Sequence, residues 1–221
     1  MEKRPIARIL IYLAGIVMVS LGIVLCKKCN LGISPISSLP FVLEDVVPLS
    51  FGTLTMFFHF LNTALSLALT KKLLDVKILM QVPLAFVFGR VIDFFQGVVV
   101  FDGTIPSYQL LALVLSVFFT ALGMVAMISM DLIQNPPDGL VKQLSLKLNR
   151  ELGNVKVGYD IACVVISVLI GILFLKHIKG MGVATIVSAV FVGRMVTWMK
   201  KILQTIKEGT AIKRNMFKMK G

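Results

Sequence analysis

Two arginines stand inside long apolar stretches of the sequence. Arg90 lies in FVFGRVIDFF and Arg194 lies in VFVGRMVTWM, and a glycine precedes each of them. A charged side chain is costly in an apolar environment, and the guanidinium fork binds a carboxylate or a phosphate through two parallel hydrogen bonds. We therefore predict that the two arginines bind one small anionic group together. Two alternatives stay open: an ion pair of Arg90 with Asp93, three residues along the same helix face, and an Arg194 side chain that extends to lipid headgroups.

A second group of polar side chains recurs at helical spacing in two other apolar stretches. Each stretch places three of them on one helix face, namely His59, Asn62 and Ser66 in the first, and Asp160, Cys163 and Ser167 in the second. A histidine and a carboxylate that face each other can pair or carry a proton across a membrane. We predict that His59 and Asp160 couple or orient a transported solute, and we give Asp93 the same role. The alternative is that these side chains form hydrogen bonds that hold the helices together.

Two short polar segments have the composition of helix starts. They begin at Ser34 (SPIS) and at Asn135 (NPPD), residues that suit the N-cap, and a proline follows each of them. Ser37 and Asp138 then stand at the third helical position, where a side chain can reach back to the cap. We predict that all four side chains contact the substrate, provided that each helix starts in a cavity and points its free N–H groups at an anion. The alternative is an amphipathic helix that lies flat at the membrane surface.

The elements that must position these residues are membrane-spanning helices. The chain has 221 residues, 57% of them hydrophobic, and its mean hydropathy is +0.91, whereas a soluble domain is about 45–50% apolar. The apolar residues form continuous blocks of about 20, the length that crosses a bilayer as a helix. The predicted spans are residues 6–26, 49–70, 78–101, 108–130, 153–175 and 181–203. We predict one all-α transmembrane domain over residues 1–221.

The two halves of the sequence resemble each other. A shift of 101 positions, which becomes 104 near the end, aligns them. The matched pairs include Pro35 with Pro136, Gly52 with Gly153, Gly89 with Gly193 and Arg90 with Arg194. Each half, residues 6–101 and 108–203, holds three spans and a short extra helix between its first and second spans. An odd number of spans means that the second half enters the membrane from the opposite side. The sequence therefore predicts two inverted repeats, which place a substrate site between the halves.

Small residues predict which spans meet at the centre. Gly15 and Gly22 share one face of the first span, and Ser116 and Gly123 share the matching face of the fourth span. Small side chains let two helix backbones approach closely in a membrane. We therefore expect the first and fourth spans to pack against each other.

The charge distribution predicts the orientation. The net charge is +12, and most lysines and arginines flank the span ends that lie on the same side as the N-terminus. Basic residues are retained on the cytoplasmic side, so both termini are predicted to be cytoplasmic. The basic tail, residues 204–221, is expected to contact anionic lipid headgroups rather than nucleic acid.

Several classes of activity have no sequence signature here. The chain contains no Walker motif, no H-E-x-x-H and no G-x-S-x-G, so we predict neither an ATP-driven pump nor an enzyme. Cys26 and Cys29 form a C-x-x-C, but no second pair or nearby histidine completes a metal site, and we predict no metal and no cofactor. A disulfide between these cysteines is the alternative to two small apolar residues at a helix end.

Three segments carry a family resemblance: GIVLCKKCNLGISPISSLP, NPPDGL and GVATIVSAVFVGR. Their order resembles that of the YczE/YyaS/YitT group of small bacterial integral membrane proteins. The resemblance extends over nearly the whole chain and implies a six-helix body in the bacterial cytoplasmic (inner) membrane. It implies no settled activity.

Together these features predict a secondary transporter that moves a small anionic or zwitterionic metabolite by alternating access. Two alternatives stay open. One is an accessory membrane protein that binds a lipid or a partner protein without transport, and the other is a lipid-headgroup flippase. The sequence also leaves open a homo-oligomer.

Overall fold

Helices form the framework of the described chain. The computed structural model describes residues 5–70, 75–100, 103 and 105–218, and it describes side chains as far as Thr205. The helices are α1 (Pro5–Lys28), α2 (Ser38–Leu43), α3 (Phe51–Thr70), α4 (Val76–Leu79), α5 (Gln81–Val98), α6 (Pro106–Met130), α7 (Pro136–Leu148), α8 (Leu152–Ile170), α9 (Val183–Val187) and α10 (Gly193–Lys218). A 3₁₀ turn (Pro35–Ser37) precedes α2, and π-helical segments cover Gly171–Leu175 and Ser188–Val192. We call α1–α5 the first half and α6–α10 the second half.

Six helical stretches are long and apolar enough to cross a membrane. They are Pro5–Lys28, Phe51–Thr70, Val76–Val98, Pro106–Met130, Leu152–Leu175 and Val183–Thr205. Each overlaps one predicted span, and the ends differ by a few residues. The predicted all-helical membrane character is therefore confirmed. The third, fifth and sixth stretches are each made of more than one helical element, because α4 precedes α5, one π-helical segment follows α8 and another joins α9 to α10.

The first and fourth spans, α1 and α6, cross closely at the centre of the bundle. A Cβ atom on Gly22 would lie 2.8 Å from the Ser116 carbonyl oxygen, and one on Gly123 would lie 2.5 Å from the Gly15 carbonyl oxygen. Any side chain larger than glycine would therefore separate the two backbones. The expected contact between these small-residue faces is confirmed.

The third span of each half packs beside this central pair. In the first half, α5 contacts both α1 and α3. In the second half, α10 contacts α6, where Val196 packs with Ala121 and Val125. These contacts bury apolar surface in the interior of the bundle, while the outer faces expose large apolar side chains to the surroundings.

Each short helix packs against the opposite half. The helix α2 contacts α8, and α7 contacts α3. Pro136, Gly139 and Val141 in the first half of α7 are buried, whereas Leu146 and Leu148 near its end are exposed. The helix therefore starts inside the protein and ends at its surface. A short helix after the first span of each half is confirmed, whereas its position relative to the membrane surface stays a prediction.

Candidate functional site

Polar side chains line the interior where the halves exchange their short helices. We call this set the polar seam, which consists of Ser38, His59, Asn62, Thr63, Ser66, Gln81, Asp138, Lys156, Tyr159, Asp160, Cys163 and Ser167. The Tyr159 hydroxyl donates to Asn62 Oδ1 over 2.6 Å and so joins α8 to α3. Buried polar groups are costly unless they are paired. The partners of the seam residues therefore indicate which groups are free to meet a ligand.

One end of the polar seam is fully paired. Ser167 donates to the Cys163 carbonyl oxygen over 2.7 Å, and its hydroxyl lies 2.8 Å from that of Ser38. Ser38 also lies 2.7 Å from the Pro35 carbonyl oxygen as a donor. These contacts tie α2 to the middle of α8. Ser167 thus forms a hydrogen bond between helices, which was the structural alternative for this residue.

The matching end in the first half is not paired. The repeat mate of Ser38 is Gly139, which has no hydroxyl group. The Ser66 hydroxyl is buried and has no hydrogen-bond partner. Gln81 occupies the neighbouring space, since its Oε1 accepts from Thr63 over 3.3 Å and its Nε2 lies 2.7 Å from where a Gly139 Cβ would be. The two ends of the seam thus share a backbone arrangement and differ in hydrogen bonding.

Lys156 connects two of the predicted site carboxylates. Its ammonium nitrogen lies 2.9 Å from Asp160 Oδ1 and 4.0 Å from Asp138 Oδ1. The seam thus carries two acids and one base, a net charge of −1. Lys156 was not among the predicted site residues. Its spacing of four residues from Asp160 was the signal that could have revealed the pair.

His59 lies deep in the bundle and is not paired with Asp160. The residue is 3% exposed, its ring packs edge-on against Phe88 at 5.3 Å between centroids, and its Nδ1 has no hydrogen-bond partner. Asp160 is bonded to Lys156 instead. The two side chains are therefore not paired here, because the His59 ring packs on Phe88 of α5 and Asp160 bonds to Lys156 of its own helix. Their role in coupling or orienting a solute stays a prediction.

The predicted helix starts are present, but their caps differ from expectation. Neither Ser34 nor Asn135 makes a side-chain cap hydrogen bond. The Ser34 hydroxyl donates to the Ser37 hydroxyl over 3.0 Å, and Asn135 Oδ1 is buried without a partner. The predicted capping by these two side chains is wrong.

The start of α7 is also a poor anion site. Pro136 and Pro137 have no N–H group, and the Gly139 N–H donates to the Asn135 carbonyl oxygen over 2.8 Å. Asp138 is thus the one residue of the first three helical positions with an N–H, and its own carboxylate carries a negative charge there. Helix starts bind anions through several free N–H groups. This one has too few of them.

Arg90 and Arg194 take part in none of the hydrogen bonds of the polar seam. Arg90 is exposed, with its guanidinium 5.2 Å from the centre of the Phe86 ring. Its neighbour Asp93 accepts from the Gly52 N–H over 2.8 Å and from the Ser50 hydroxyl over 2.7 Å. The alternative of an Arg90–Asp93 ion pair is therefore wrong, since Asp93 holds the start of α3.

Arg194 lines an open cleft on the surface of α10. The cleft has a volume of about 350 Å³, and its lining residues are Gly193, Arg194, Thr197, Trp198 and Lys201. These residues lie on one face of a single helix, away from the Val196 side that packs on α6. We call it the basic face of α10.

The matched glycines of the two halves are packed differently. In the first half, a Cβ on Gly52 would lie 2.2 Å from the Gly89 carbonyl oxygen, so α3 and α5 cross in close contact. In the second half, no described heavy atom lies within 4 Å of a Cβ built on Gly153 or on Gly193. Over the described residues, α8 and α10 make no comparable crossing. One half is closed at its glycine pair, and the other is open.

A polar cluster reinforces the closed crossing. Lys27 donates to Glu44 over 2.5 Å and to Gln96 over 3.0 Å, and Gln96 donates to the other Glu44 oxygen over 3.0 Å. The cluster connects α1, the end of α2 and α5. The repeat mates of these three residues are Ile128, Ser145 and Lys200, which cannot form the same network.

The C-x-x-C pair lies at the end of α1, with Cys26 in its last turn and Cys29 directly after it, and carries no disulfide. Both thiols are free and buried. The hydrogen bond with the Cys26 thiol lowers the pKa of the Cys29 thiol to about 7. Cys26 Sγ also lies 3.7 Å from the Ser188 hydroxyl, in the π-helical segment before α10. The pair thus packs the end of α1 against the last span.

A family model described as a family of unknown function (DUF6198) matches residues 6–201. The chain belongs to the DUF6198 family. The match covers both glycine pairs, the polar seam and the basic face of α10, so these features lie within the body of a DUF6198 protein. The model does not name the YczE/YyaS/YitT group, and that resemblance stays a prediction. No curated protein and no solved structure matches the chain.

Proposed function

We propose that the protein is a secondary transporter of a small zwitterionic or anionic metabolite. It works by alternating access between two inverted repeats of three spans. The observation that carries the proposal is the asymmetry of the glycine pairs: Gly52 and Gly89 are in contact, whereas their repeat mates Gly153 and Gly193 are apart. Sequence halves that are alike but packed differently are expected when a transporter alternates between two states.

The pattern of contacts supports the inverted repeat. An operation that exchanges the halves turns the α2–α8 contact into the α7–α3 contact, and it turns the α1–α5 contact into the α6–α10 contact. The α1–α6 crossing maps onto itself. Only the α3–α5 crossing lacks a comparable α8–α10 counterpart among the described residues.

The charge distribution assigns the two states to the two sides of a bacterial cytoplasmic membrane. With cytoplasmic termini, the start of α3 lies near the outer surface and the start of α8 near the inner surface. The α3–α5 crossing and the Lys27–Glu44–Gln96 cluster then close the outer side. The gap between Gly153 and Gly193 opens the inner side. The structure corresponds to an inward-open state in this proposal.

The polar seam favours a zwitterion over a purely anionic substrate. Lys156 offers one positive charge beside Asp138 and Asp160. Two further polar atoms, His59 Nδ1 and Asn135 Oδ1, are buried without partners. A solute with an ammonium group and a carboxylate matches this mixed set better than an anion alone. Arg90 and Arg194 lie outside this proposed binding site.

Flux measurements with a wedge variant test the proposal. Gly153→Leu has room in the present state, but in the closed inner state it would separate α8 from α10. We expect proteoliposomes that contain the wild type to take up a solute from a labelled panel of amino acids and small carboxylates. The uptake by Gly153→Leu should be at least tenfold lower than that by the wild type. Gly158→Leu is the matched control, because Gly158 also lies on α8 with no heavy atom within 4 Å of its Cβ position. Its repeat mate, Phe57, is exposed rather than packed on α5.

Two outcomes count against transport by this mechanism. Uptake of every panel solute equal to that of empty liposomes would argue against the substrate class. Uptake by Gly153→Leu equal to that of Gly158→Leu would rule out closure at the glycine pair.

The gap beside α10 favours a lipid-headgroup flippase as the second candidate function. The cleft opens at the outer surface of the bundle, next to exposed apolar side chains such as Val190 and Phe191. A flippase would move a fluorescent headgroup-labelled lipid between leaflets, which dithionite quenching measures. Labelled-lipid movement without solute uptake would favour this second candidate.

A further inference from the structure

We propose that the basic face of α10 binds the phosphate headgroup of an anionic phospholipid. The site is formed by Arg194 and Lys201, with Thr197 and Trp198 between them, beside the uncovered glycines of α8 and α10. This inference goes beyond the proposed transport activity and holds whether or not the protein moves a metabolite.

Arg194 requires an anionic partner that the described residues do not provide. It lies at the middle of the stretch Val183–Thr205, and its side chain is exposed. Within the described residues it makes no hydrogen bond and no ion pair, in contrast to Lys27, Lys156 and Lys179. A guanidinium that faces hydrocarbon without a counter-ion is costly. A bound anion removes that cost.

The spacing of the face suits a lipid phosphate. Lys201 follows Arg194 by two helical turns on the same side, a separation of about 10 Å along the axis. Thr197 lies between them, with its hydroxyl donating to the Gly193 carbonyl oxygen, and Trp198 is 60% exposed. Tryptophan prefers the level of the headgroups, and basic residues at the cytoplasmic surface attract anionic lipids. The guanidinium fork then binds two phosphate oxygens.

Uncovered surface on both helices offers space for acyl chains. On α8, the residues that match the closed crossing are Gly153 and Val157, and both are exposed. Neither carries a charge. On α10, Gly193 lines the cleft and has no heavy atom near its Cβ position, so an apolar chain can lie against the backbone of this helix.

A second copy of this chain is a poorer occupant. The described acidic side chains within the spans are Asp93 and Asp160, and both are already hydrogen-bonded within their own copy. A second copy thus has no free carboxylate at the depth of Arg194. An anionic lipid brings both the charge and the apolar chains.

The repeat mate of Arg194 shows what distinguishes the site. Arg90 stacks on Phe86 and lies on a helix whose matching face is closed by α3. At the positions equivalent to Thr197 and Lys201, that helix carries Asp93 and Gly97. The first half therefore lacks the second cation and has an acid in place of the hydroxyl.

Thermal stability with defined lipids tests the site. We expect phosphatidylglycerol to raise the Tm of the full-length protein in detergent by several degrees relative to phosphatidylcholine. Arg194→Gln and Lys201→Gln should each reduce that rise by at least half, and Arg194→Lys should retain part of it. Lys77→Gln is the control, because it removes one exposed positive charge near the same membrane surface but outside the cleft. Native mass spectrometry should find retained phosphatidylglycerol on the wild type and on Lys77→Gln, and less of it on the double variant.

Several results would overturn the inference. One is an equal phosphatidylglycerol response in the wild type and the Arg194→Gln/Lys201→Gln double variant, with both eluting as folded species. Another is a rise with inorganic phosphate as large as that with lipid, which would indicate a soluble anion site. A third is retention of phosphatidylglycerol on the double variant at the wild-type level. None of these results depends on solute uptake, so failure of the lipid site and failure of transport are distinguishable.

Discussion

Asp93 holds the start of α3 from a distance of about forty residues along the chain. Its two oxygens accept from the Gly52 N–H and the Ser50 hydroxyl. The first N–H groups of a helix have no partner within that helix, so the carboxylate supplied by α5 adds to the local cap, in which the Ser50 hydroxyl accepts from the Thr53 N–H over 3.2 Å. In the second half the equivalent residue is Thr197, whose hydroxyl donates to the Gly193 carbonyl oxygen of its own helix over 3.0 Å.

Asp93→Ala should destabilise the protein, whereas Arg90→Gln should not. Loss of the carboxylate leaves the Gly52 N–H at the start of α3 without its acceptor, at a cost of about 1–2 kcal/mol. Arg90 makes no ion pair with Asp93, and the loss of its charge should change stability by less than about 0.5 kcal/mol. Thermal unfolding in detergent measures both changes. Equal destabilisation by the two substitutions would contradict the capping role of Asp93 and would indicate an Arg90–Asp93 ion pair instead.

For individual residues, the sequence predicted the helix face on which a side chain lies but not the group to which it bonds. Helical spacing correctly grouped His59 with Asn62 and Ser66, because all three are buried on α3. It could not reveal that Asp160 bonds to Lys156, or that Asp93 bonds to the start of another helix. Spacing along one helix determines the direction in which a side chain points from that helix. Its hydrogen-bond partners depend on which helices pack beside it.

At the scale of the element, one glycine motif has two different environments. The Gly52–Gly89 pair lets α3 and α5 cross in contact, whereas Gly153 and Gly193 lie in open space. Glycine inside a helix is less favourable than alanine by about 1 kcal/mol. Gly153 and Gly193 are therefore less favourable than alanine in the present state. Their presence is explained if another state brings α8 and α10 into close contact.

Gly52→Ala and Gly153→Ala should change stability in opposite directions. The added Cβ at position 52 would lie 2.2 Å from a backbone oxygen, so α3 and α5 must separate. We expect the Tm to fall by several degrees. At position 153 the added Cβ has no neighbour within 4 Å, so helix propensity should raise the Tm or leave it unchanged.

Differential scanning fluorimetry on both variants, with Gly97→Ala as a control, measures this contrast. Gly97 lies on α5 and also has an open Cβ position. Its substitution should behave like that at position 153. A fall in Tm with Gly153→Ala that matches the fall with Gly52→Ala would mean that α8 and α10 are in contact in the folded protein.

Spans were predictable at this scale because hydropathy and length determine them. The short helices were predictable because Pro35 and Pro136 suit the first turn of a helix. The gap between α8 and α10 could not be predicted, because Gly153 and Gly193 align with the closed pair in the sequence repeat. A matched glycine pair permits a crossing, and the conformational state of the whole bundle decides whether it forms.

At the scale of the whole molecule, orientation is the property that the proposal most needs. One cysteine introduced at Ile178 or at Lys147 tests it. Both side chains are exposed, and the two positions flank opposite ends of the fifth span. With cytoplasmic termini, a membrane-impermeant maleimide should label Ile178→Cys in intact cells and Lys147→Cys only after lysis. The unmodified chain is the control, because its three cysteines are buried. The reverse labelling order would invert the proposed inner and outer sides.

The exchange of α2 and α7 between the halves also constrains the order in which the protein matures. Ser38 meets its Ser167 partner 129 residues later in the chain. When the ribosome has delivered only the first half, α2 has no α8 to pack on, and the polar face of α3 has no α7 to cover it. The first three spans thus enter the bilayer before Ser38 and Asn62 can meet their partners Ser167 and Tyr159. We therefore expect the final packing to wait for the end of synthesis and not to proceed as the successive folding of two independent halves.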